Sequence, residues 1–181
     1  MISVTEAKKL ISENCTFQNV KSILIDDAYG FILAETVYAV TDTPPFDNSA
    51  MDGYAFAFDS WKNQTLEIIG EVQAGSCYAA SVKADCAVRI FTGSTMPHGT
   101  DTVVMQEKTN VINKQLQIQD EQVYKGMHVR RQGTQSKKGD AIMKPGQLLT
   151  PAAISFIASC GIGKISVYSH PTVSIIITGK E

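Results

Sequence analysis

The sequence contains little that could bind a transition metal or form a disulfide framework. Its four cysteines, Cys15, Cys77, Cys86 and Cys160, lie far apart and form no CxxC pair. None of the three histidines stands at ligand spacing from another, and none lies in a nucleophile motif with Ser or Cys. We therefore assign the histidines no catalytic role and interpret the cysteines as buried or idle thiols in a reducing compartment.

Net charge and long apolar runs are also scarce. The chain of 181 residues carries 16 Lys and Arg against 18 Asp and Glu, a formal charge of -2, which gives no general attraction to nucleic acid or anionic lipid. No apolar run approaches the length of a membrane span, and residues 1–9 lack the apolar core of a secretory signal. We expect a cytoplasmic protein with no nucleic-acid or membrane partner.

Helix and strand signals alternate at the start of the chain. The hydrophobic content of 44% is enough for one sizeable core or two small ones. Ser3 followed by Glu6 is typical of a capping box, and apolar residues at 4, 7, 10 and 11 predict an amphipathic helix. Residues 22–25 suggest a strand. Asp26 or Asp27 could cap a helical turn that runs through residues 32–34, and residues 37–40 suggest an extended segment.

The middle of the chain has a β-type pattern. Residues 41–49 are dense in turn formers, and Pro44 and Pro45 exclude a helix, so a domain boundary is expected near here. Six short runs then predict strands in a small barrel or compact sandwich, at residues 54–58, 66–69, 87–91, 102–105, 111–112 and 116–118. Asn113 and Lys114 suit a hairpin turn between the last two runs.

Helix signals return towards the end. Thr150 as N-cap, Pro151 at the first helical position and Gly161 just past the last turn delimit a helix with an apolar run at 152–158. Strands are predicted at 165–168 and 172–178, and the second is so apolar that it requires cover on both faces, as at the start of a βαβ unit. We infer from this that the chain is a fragment of a longer protein.

These signals predict a mixed α+β fold with two domains. A discontinuous mixed α/β domain comprises residues 1–43 and 141–181, and a small β-barrel-like domain of residues 44–140 is inserted into it. The last strand would lead into a further α/β domain beyond the chain. No repeat or low-complexity segment is present, so function must come from local motifs.

The most distinctive motif is PFDNSAMDGYA at residues 45–55. Asp52 before Gly53 at a strand entrance can present a carboxylate to a cleft, and Asn48 and Ser49 add hydrogen-bonding groups nearby. The structural alternative is an Asx-type turn, in which the side chain bonds to its own backbone.

Two weaker motifs follow. Residues 89–99 leave a strand for a loop rich in hydroxyls and glycine, whose amides could approach a phosphate. The adjacent Arg130 and Arg131 would point to opposite faces of a strand, so that one could serve a ligand and the other a salt bridge. A surface ion pair is the commoner fate of a single arginine.

Together these stretches resemble the molybdopterin molybdenumtransferase family, which includes the MoeA proteins and the E domain of gephyrin. Residues 45–55 carry the most specific match. Further segments agree with the family in order: RIFTG at 89–93, DTVVMQE at 101–107, Arg130 and Arg131 with Gly133, and Thr178-Gly179 before Glu181. The resemblance spans nearly the whole chain.

The resemblance implies a discontinuous mixed α/β domain with an inserted β domain, followed by a later α/β domain. It implies insertion of molybdenum from molybdate into adenylylated molybdopterin, with release of AMP and use of Mg²⁺, by an elongated homodimer. Asp52 matches the family's functional carboxylate, with a catalytic and metal-binding role, and Thr92 matches a catalytic threonine. Substrate-binding roles are expected for Asn48, Ser49, Arg130 and Arg131.

The resemblance also places the active cleft between the β domain of one subunit and the later domain of its partner. This chain would then hold half a site and be inactive alone. Many relatives have an acidic pair where this chain has Thr134-Gln135, and an aspartate where it has Lys180. Of the expected functional carboxylates, Asp52 is therefore the best supported in this chain. Two alternatives stay open: a non-catalytic scaffold of the same fold, and a free-standing β-barrel that binds a small nucleotide tightly.

Overall fold

The computed structural model describes residues 2–15, 18–76 and 78–177, which form a mixed α+β fold of two compact units. The first unit combines Met1–Val40 with Gly139–Glu181, and the second is Thr41–Lys138. That these units are the predicted domains stays a prediction.

Short strands dominate the described residues. In chain order they are β1 (Val20–Leu24), β2 (Ile32–Leu33), β3 (Val37–Tyr38), β4 (Asn48–Ser49), β5 (Gly53–Phe56), β6 (Leu66–Val72), β7 (Cys86–Ile90), β8 (Thr102–Met105), β9 (Thr109–Ile112), β10 (Gln115–Ile118), β11 (Val129–Arg130), β12 (Ala141–Met143) and β13 (Lys164–Tyr168). The helices are α1 (Val4–Asn14), α2 (Phe58–Trp61) and α3 (Pro151–Ser159). Single 3-10 turns occupy Ile25–Asp27 and Gln106–Lys108.

Both long helices begin where their capping residues predict. The Ser3 hydroxyl accepts a hydrogen bond from the Glu6 amide at 3.1 Å, and the Thr150 hydroxyl accepts one from the Ala153 amide at 3.3 Å. Gly161 follows α3 with φ of +86°, a conformation that glycine adopts without strain. The two predicted helices are confirmed. They differ in burial, because α3 buries Ile157 whereas α1 buries no residue in the described part of the chain.

The first unit is built around a three-stranded antiparallel sheet. Strand β13 lies in its centre, with β1 on one side and β2 on the other, and β3 pairs separately with β12. The predicted strand at 165–168 is thereby confirmed. Side chains from the sheet, from α3 and from the intervening turns share one apolar core, whose buried members are Ile25, Ala28, Leu33, Val37, Leu149, Ile157, Ile165 and Val167.

Two predictions in this unit are wrong. Residues 32–34 were expected to continue a helical turn, but β2 is extended and pairs with β13, because pairing buries Leu33 completely. The strand expected at 172–178 is absent, since residues 171–177 have no regular structure in the described chain. No described segment pairs with them, and Ile175 is 85% exposed. Thr178 lies outside the described residues.

The second unit contains a curled six-stranded sheet, a half-barrel, in the order β8-β5-β7-β6-β10-β9. All its pairs are antiparallel except β6 with β7, and the register shifts between Ile68 and Gly70. Successive side chains of a strand point to opposite faces of the sheet, and in β5 both Ala55 and Phe56 are fully buried. Both faces of the sheet are therefore covered at this strand. The six predicted β-type runs correspond to β5 to β10.

The hairpin between β9 and β10 turns at Asn113 and Lys114, whose φ values of +50° and +63° are those of the predicted turn. Two short pairings were not predicted, that of β4 with β11 and that of β3 with β12. Cys86 and Cys160 are buried free thiols, and Cys15 is exposed; Cys77 lies outside the described residues. Within the described ranges, no helix has the length and apolarity needed to span a bilayer.

Candidate functional site

Asp52 lies on a tight turn between β4 and β5. The buried Ser49 shapes this turn, because its hydroxyl donates a hydrogen bond to the Met51 carbonyl at 2.5 Å and accepts one from the Met51 amide at 3.3 Å. The turn then enters β5 at Gly53, where an added Cβ would lie 1.8 Å from the Val104 carbonyl oxygen. Only glycine permits this approach of β5 to β8, which sets Asp52 at the end of the sheet.

The loop after β7 lies against this turn. Gly93 adopts φ of +83°, and its amide donates to the Ser49 carbonyl at 2.8 Å. In return, the Ser49 amide donates to the Ser94 carbonyl at 3.0 Å. The buried Ser94 hydroxyl donates to the Val72 carbonyl at 3.1 Å, which connects the loop to β6. These contacts fix the position of Thr92 opposite Asp52.

Asp52 and Thr92 form a direct pair. One carboxylate oxygen, Oδ1, accepts hydrogen bonds from the Thr92 amide and the Thr92 hydroxyl, both at 2.8 Å. The Thr92 amide is the main reason that the pKa of Asp52 lies below its ordinary value, and the Thr92 hydroxyl lowers it further. Burial acts in the opposite direction, and the Arg89 charge makes the least contribution to the lowering. Both side chains are exposed, so an ionised carboxylate faces solvent.

The Asx-turn alternative does not describe Asp52. Its carboxylate bonds to a residue 40 positions away, not to its own turn. Among the described residues, none donates a hydrogen bond to its second oxygen, Oδ2, which leaves that oxygen available to a ligand. The structure brings together Asp52 and Thr92, the two residues with predicted catalytic roles, although the roles themselves stay predictions.

Arg89 belongs to the same neighbourhood and was given no role by the sequence. It lies on β7 directly opposite Tyr54 of β5, and its guanidinium carbon is 5.0 Å from the Tyr54 ring centroid and 5.1 Å from that of Phe91. Its Nη2 donates to the side-chain oxygen of Gln106, whose backbone amide donates to the Asp52 carbonyl at 3.1 Å. The RIFTG segment was the available signal, but its arginine was not singled out.

Asn48 and Ser49 are less accessible than expected of substrate ligands. Ser49 is wholly buried, and its hydroxyl is occupied by the Met51 backbone. Asn48 is 7% exposed, its Nδ2 donates to the Phe46 carbonyl at 3.4 Å, and its Oδ1 has no hydrogen-bond partner among the described residues. Both residues therefore support the loop in this conformation. Their predicted substrate-binding roles stay predictions.

The arginine pair divides into two environments. Arg130 is exposed on β11, opposite Asn48 of β4. Arg131 forms an ion pair with Asp47 at 2.6 Å. The Gln132 amide is the largest cause of a lowered pKa at Asp47, and Arg131 adds to it against some desolvation. No described hydrogen bond connects either arginine to the Asp52 carboxylate or to Thr92, and their substrate roles also stay predictions.

The carboxylate oxygen available at Asp52 suits a hard cation that takes most of its other ligands from substrate and water. Across residues 2–15, 18–76 and 78–177, no group of three His, Cys, Asp or Glu side chains could enclose a metal ion. Mg²⁺ needs no such group, since it commonly takes one or two carboxylates together with substrate phosphates and water. The free Oδ2 of Asp52 fits this mode of binding.

Comparison with known proteins places these features in a family. The model of the MoeA N-terminal region, described as domain I and II, matches residues 2–161. The molybdopterin molybdenumtransferase of Haemophilus influenzae is 34% identical over 184 residues, covering 100% of this chain and 45% of the relative. That of Staphylococcus epidermidis is 33% identical over 188 residues, covering 99% and 44%.

Solved structures agree in fold. A molybdopterin biosynthesis MoeA protein from Pyrococcus horikoshii superposes with a TM-score of 0.81 at 27% identity, covering 93% of this chain and 46% of that one. A second structure of the protein from this source gives 0.76 at 26% identity, with 94% and 45% covered. The chain spans slightly under half the length of these relatives. Because the family model matches most of the sequence, the chain belongs to the MoeA N-terminal region family.

Proposed function

We propose that this protein acts in molybdenum cofactor biosynthesis, as a molybdopterin molybdenumtransferase. The reaction inserts molybdenum from molybdate into adenylylated molybdopterin and releases AMP. The names of the curated relatives support the pathway, and the match over residues 45–55 supports the reaction. Because the chain spans under half the relatives' length, we propose that it supplies part of the active site and is inactive alone.

One observation carries the proposal: the Asp52 carboxylate is exposed, ionised and oriented by Thr92, with one oxygen left free. The Thr92 amide and hydroxyl hold Oδ1 at a fixed position, so Oδ2 points in a defined direction before any ligand arrives. We assign Asp52 the role of substrate-facing carboxylate and Thr92 that of orienting it.

We further propose that Asp52 holds Mg²⁺ together with oxygen atoms of the substrate. The bound ion would neutralise negative charge on the phosphates of adenylylated molybdopterin. Asp52 keeps its charge for this task because the Thr92 donors stabilise the ionised form. Molybdate and adenylylated molybdopterin are thus the proposed small-molecule partners, with neither nucleic acid nor membrane involved.

The proposed assembly is a cytoplasmic homodimer. In it the inserted β domain, residues 44–140, contributes Asp52 and Thr92 to a cleft that a later domain of the partner subunit completes. The proposed second domain is the discontinuous one, formed by the two remaining segments. This arrangement follows the family resemblance.

Substitution of Asp52 in the natural gene product tests the function. Asp52→Ala removes the free oxygen, so we expect molybdenum insertion into adenylylated molybdopterin to fall at least about a hundredfold, measured as molybdenum in the purified pterin product. Glu121→Ala, which removes an exposed acid of the same unit, should leave insertion unchanged. A folded Asp52→Ala protein with full activity would favour the scaffold alternative and remove the site assignment.

A further inference from the structure

The unit Thr41–Lys138 has an open concavity of about 680 Å³ on its six-stranded sheet, separate from the free oxygen of Asp52. Its wall includes the backbone of β6 around Gly70, the Tyr54 ring of β5 and the guanidinium of Arg89. Lys114, on the hairpin turn after β9, adds a second cation. None of these residues is used by the proposed roles of Asp52 and Thr92.

Arg89 is the residue that gives the concavity a chemical preference. It is half-buried, and among the described residues its guanidinium makes no ion pair within 4 Å of a carboxylate. A guanidinium that is partly withdrawn from water and makes no direct ion pair can gain charge-assisted hydrogen bonds from an oxyanion. The one described hydrogen bond of its side chain is to Gln106, which leaves donors of the guanidinium fork unused.

The orientation of Arg89 is fixed before any ligand binds. The Tyr54 and Phe91 rings lie about 5 Å from the guanidinium carbon, and Gln106 holds Nη2. A planar fork held in this way can donate two parallel hydrogen bonds to a phosphate, which lysine cannot do. The low cost of ordering such a side chain favours binding of a rigid oxyanion.

Two carboxylates share the lining, Glu67 and Glu71, and they balance the charges of Arg89 and Lys114. The Glu71 carboxylate already accepts a hydrogen bond from the Gln73 side chain at 3.0 Å. Because these charges balance, the concavity has no net positive charge that would attract every anion. Its preference rests on the geometry of one guanidinium, which selects a ligand by shape as well as by charge.

We propose that Arg89 binds a pyrophosphate group at the concavity, and that the same phosphates reach the Mg²⁺ proposed at Asp52. This inference deepens the proposed function and rests on it for the identity of the natural ligand, since adenylylated molybdopterin contains a pyrophosphate. The Gln106 link between Arg89 and the Asp52 backbone keeps the two binding groups in register.

Titration of the 181-residue chain with inorganic pyrophosphate tests the proposal. The side-chain Nε–H signal of Arg89, assigned by its loss in Arg89→Lys, should shift in a saturable manner at millimolar ligand, with sodium chloride as the ionic-strength reference. Arg89→Gln should weaken binding at least about tenfold, because it removes charge-assisted hydrogen bonds. Lys83→Gln, which neutralises an exposed cation of the same unit outside the lining of the concavity, should bind as the unaltered chain does.

The outcomes separate this proposal from the proposed function. No saturable shift at Arg89, or equal binding by the unaltered chain and a folded Arg89→Gln variant, would overturn the pyrophosphate site. Because the Arg89 signal is recorded in the unaltered chain and assigned with Arg89→Lys, an Arg89→Gln variant that fails to fold does not prevent the test. Pyrophosphate binding at Arg89 with full activity of Asp52→Ala would instead reject the function and keep the site.

Discussion

At the scale of single residues, the main feature is that both Thr92 donors bind the same oxygen of Asp52. One oxygen therefore anchors the carboxylate, and the other remains free for a ligand. This arrangement requires that the loop carrying Asp52 and the loop carrying Thr92, 40 positions apart in the sequence, lie side by side. The two Thr92 donors can be separated experimentally, because replacing threonine by valine removes the hydroxyl and keeps the backbone amide.

Thr92→Val removes the hydroxyl and keeps the amide. The pKa of Asp52 should rise towards its ordinary value but stay below it, since the Thr92 amide is the larger cause of the lowering. The carboxylate is ionised above its pKa, so activity that requires the charge should be lost at a higher pH in the variant. The pKa is measured from the Asp52 carboxyl carbon signal during an acid titration.

Thr134→Val serves as the control, because the Thr134 hydroxyl donates to the Arg131 carbonyl and not to Asp52. Its Asp52 signal should titrate as in the unaltered chain. A Thr92→Val variant with the same Asp52 pKa would show that the hydroxyl hydrogen bond does not form in solution.

The sequence identified Asp52 through a motif, but it could not identify all the residue's partners. The 45–55 signature placed the carboxylate at a strand entrance, and the structure has it there, exposed. Its pairing with Thr92 depends on how two loops meet, which spacing along the chain does not reveal. The same limit explains why Ser49 was expected to face a ligand although the fold buries it.

At the scale of elements, the entry of β5 depends on Gly53. Its neighbour β8 approaches so closely that a methyl group would overlap the Val104 carbonyl, and a backbone atom cannot turn aside as a side chain can. Gly53→Ala should therefore lower the free energy of unfolding by about 1–3 kcal/mol or more, through strain between β5 and the edge strand β8. Urea unfolding measures the change.

Gly163→Ala is the matched control, because an added Cβ there would have no atom within 4 Å and the position does not require a positive φ. Its effect should stay within about 0.5 kcal/mol. A Gly53→Ala chain as stable as this control would contradict the close approach of β5 and β8.

The two capped helices should respond differently to loss of the same kind of cap. Thr150→Ala should lower the free energy of unfolding by about 1 kcal/mol, because α3 packs Ile157 into the core of its unit. Ser3→Ala should mainly increase fraying of α1, which buries no described residue, with little effect on global unfolding. Hydrogen exchange resolves local fraying, and urea unfolding resolves the global change; equal global losses would mean that α1 is packed.

Capping and turn chemistry were predicted well because they are local. Ser3 with Glu6, Thr150 with Pro151, and Asn113 with Lys114 each define their element within a few residues. Strand β2 was mistaken for a helical turn because its extended form depends on pairing with β13, more than a hundred positions later in the chain. The short β4 and β11 pair was missed for the same reason.

At the scale of the whole molecule, an apolar segment lies exposed at 173–177. Val173 is 74% exposed, and Ile175, Ile176 and Ile177 are similarly exposed. The sequence predicts a strand here that is too apolar to have one face in water, yet residues 171–177 have no regular structure and no described segment covers them. The conformation of this segment depends on contacts that its composition does not specify.

This exposure predicts self-association of the 181-residue chain. Light scattering over a concentration series should show an average mass that rises above that of the monomer, because contiguous exposed apolar surface favours burial between molecules. The double variant Ile175→Lys with Ile177→Lys should remain closer to monomeric, since added charges oppose that burial. A chain that is strictly monomeric and highly soluble would contradict the prediction.

The strand order of the first unit also affects how the protein emerges from the ribosome. Strand β13 lies between β1 and β2, so the middle of that sheet is synthesised last. Strands β1 and β2 cannot pair into this sheet until β13 has been translated, whereas the strands of Thr41–Lys138 have all been translated beforehand. The nascent chain can therefore complete the unit Thr41–Lys138 early, and closes the first sheet only once translation has passed residue 168.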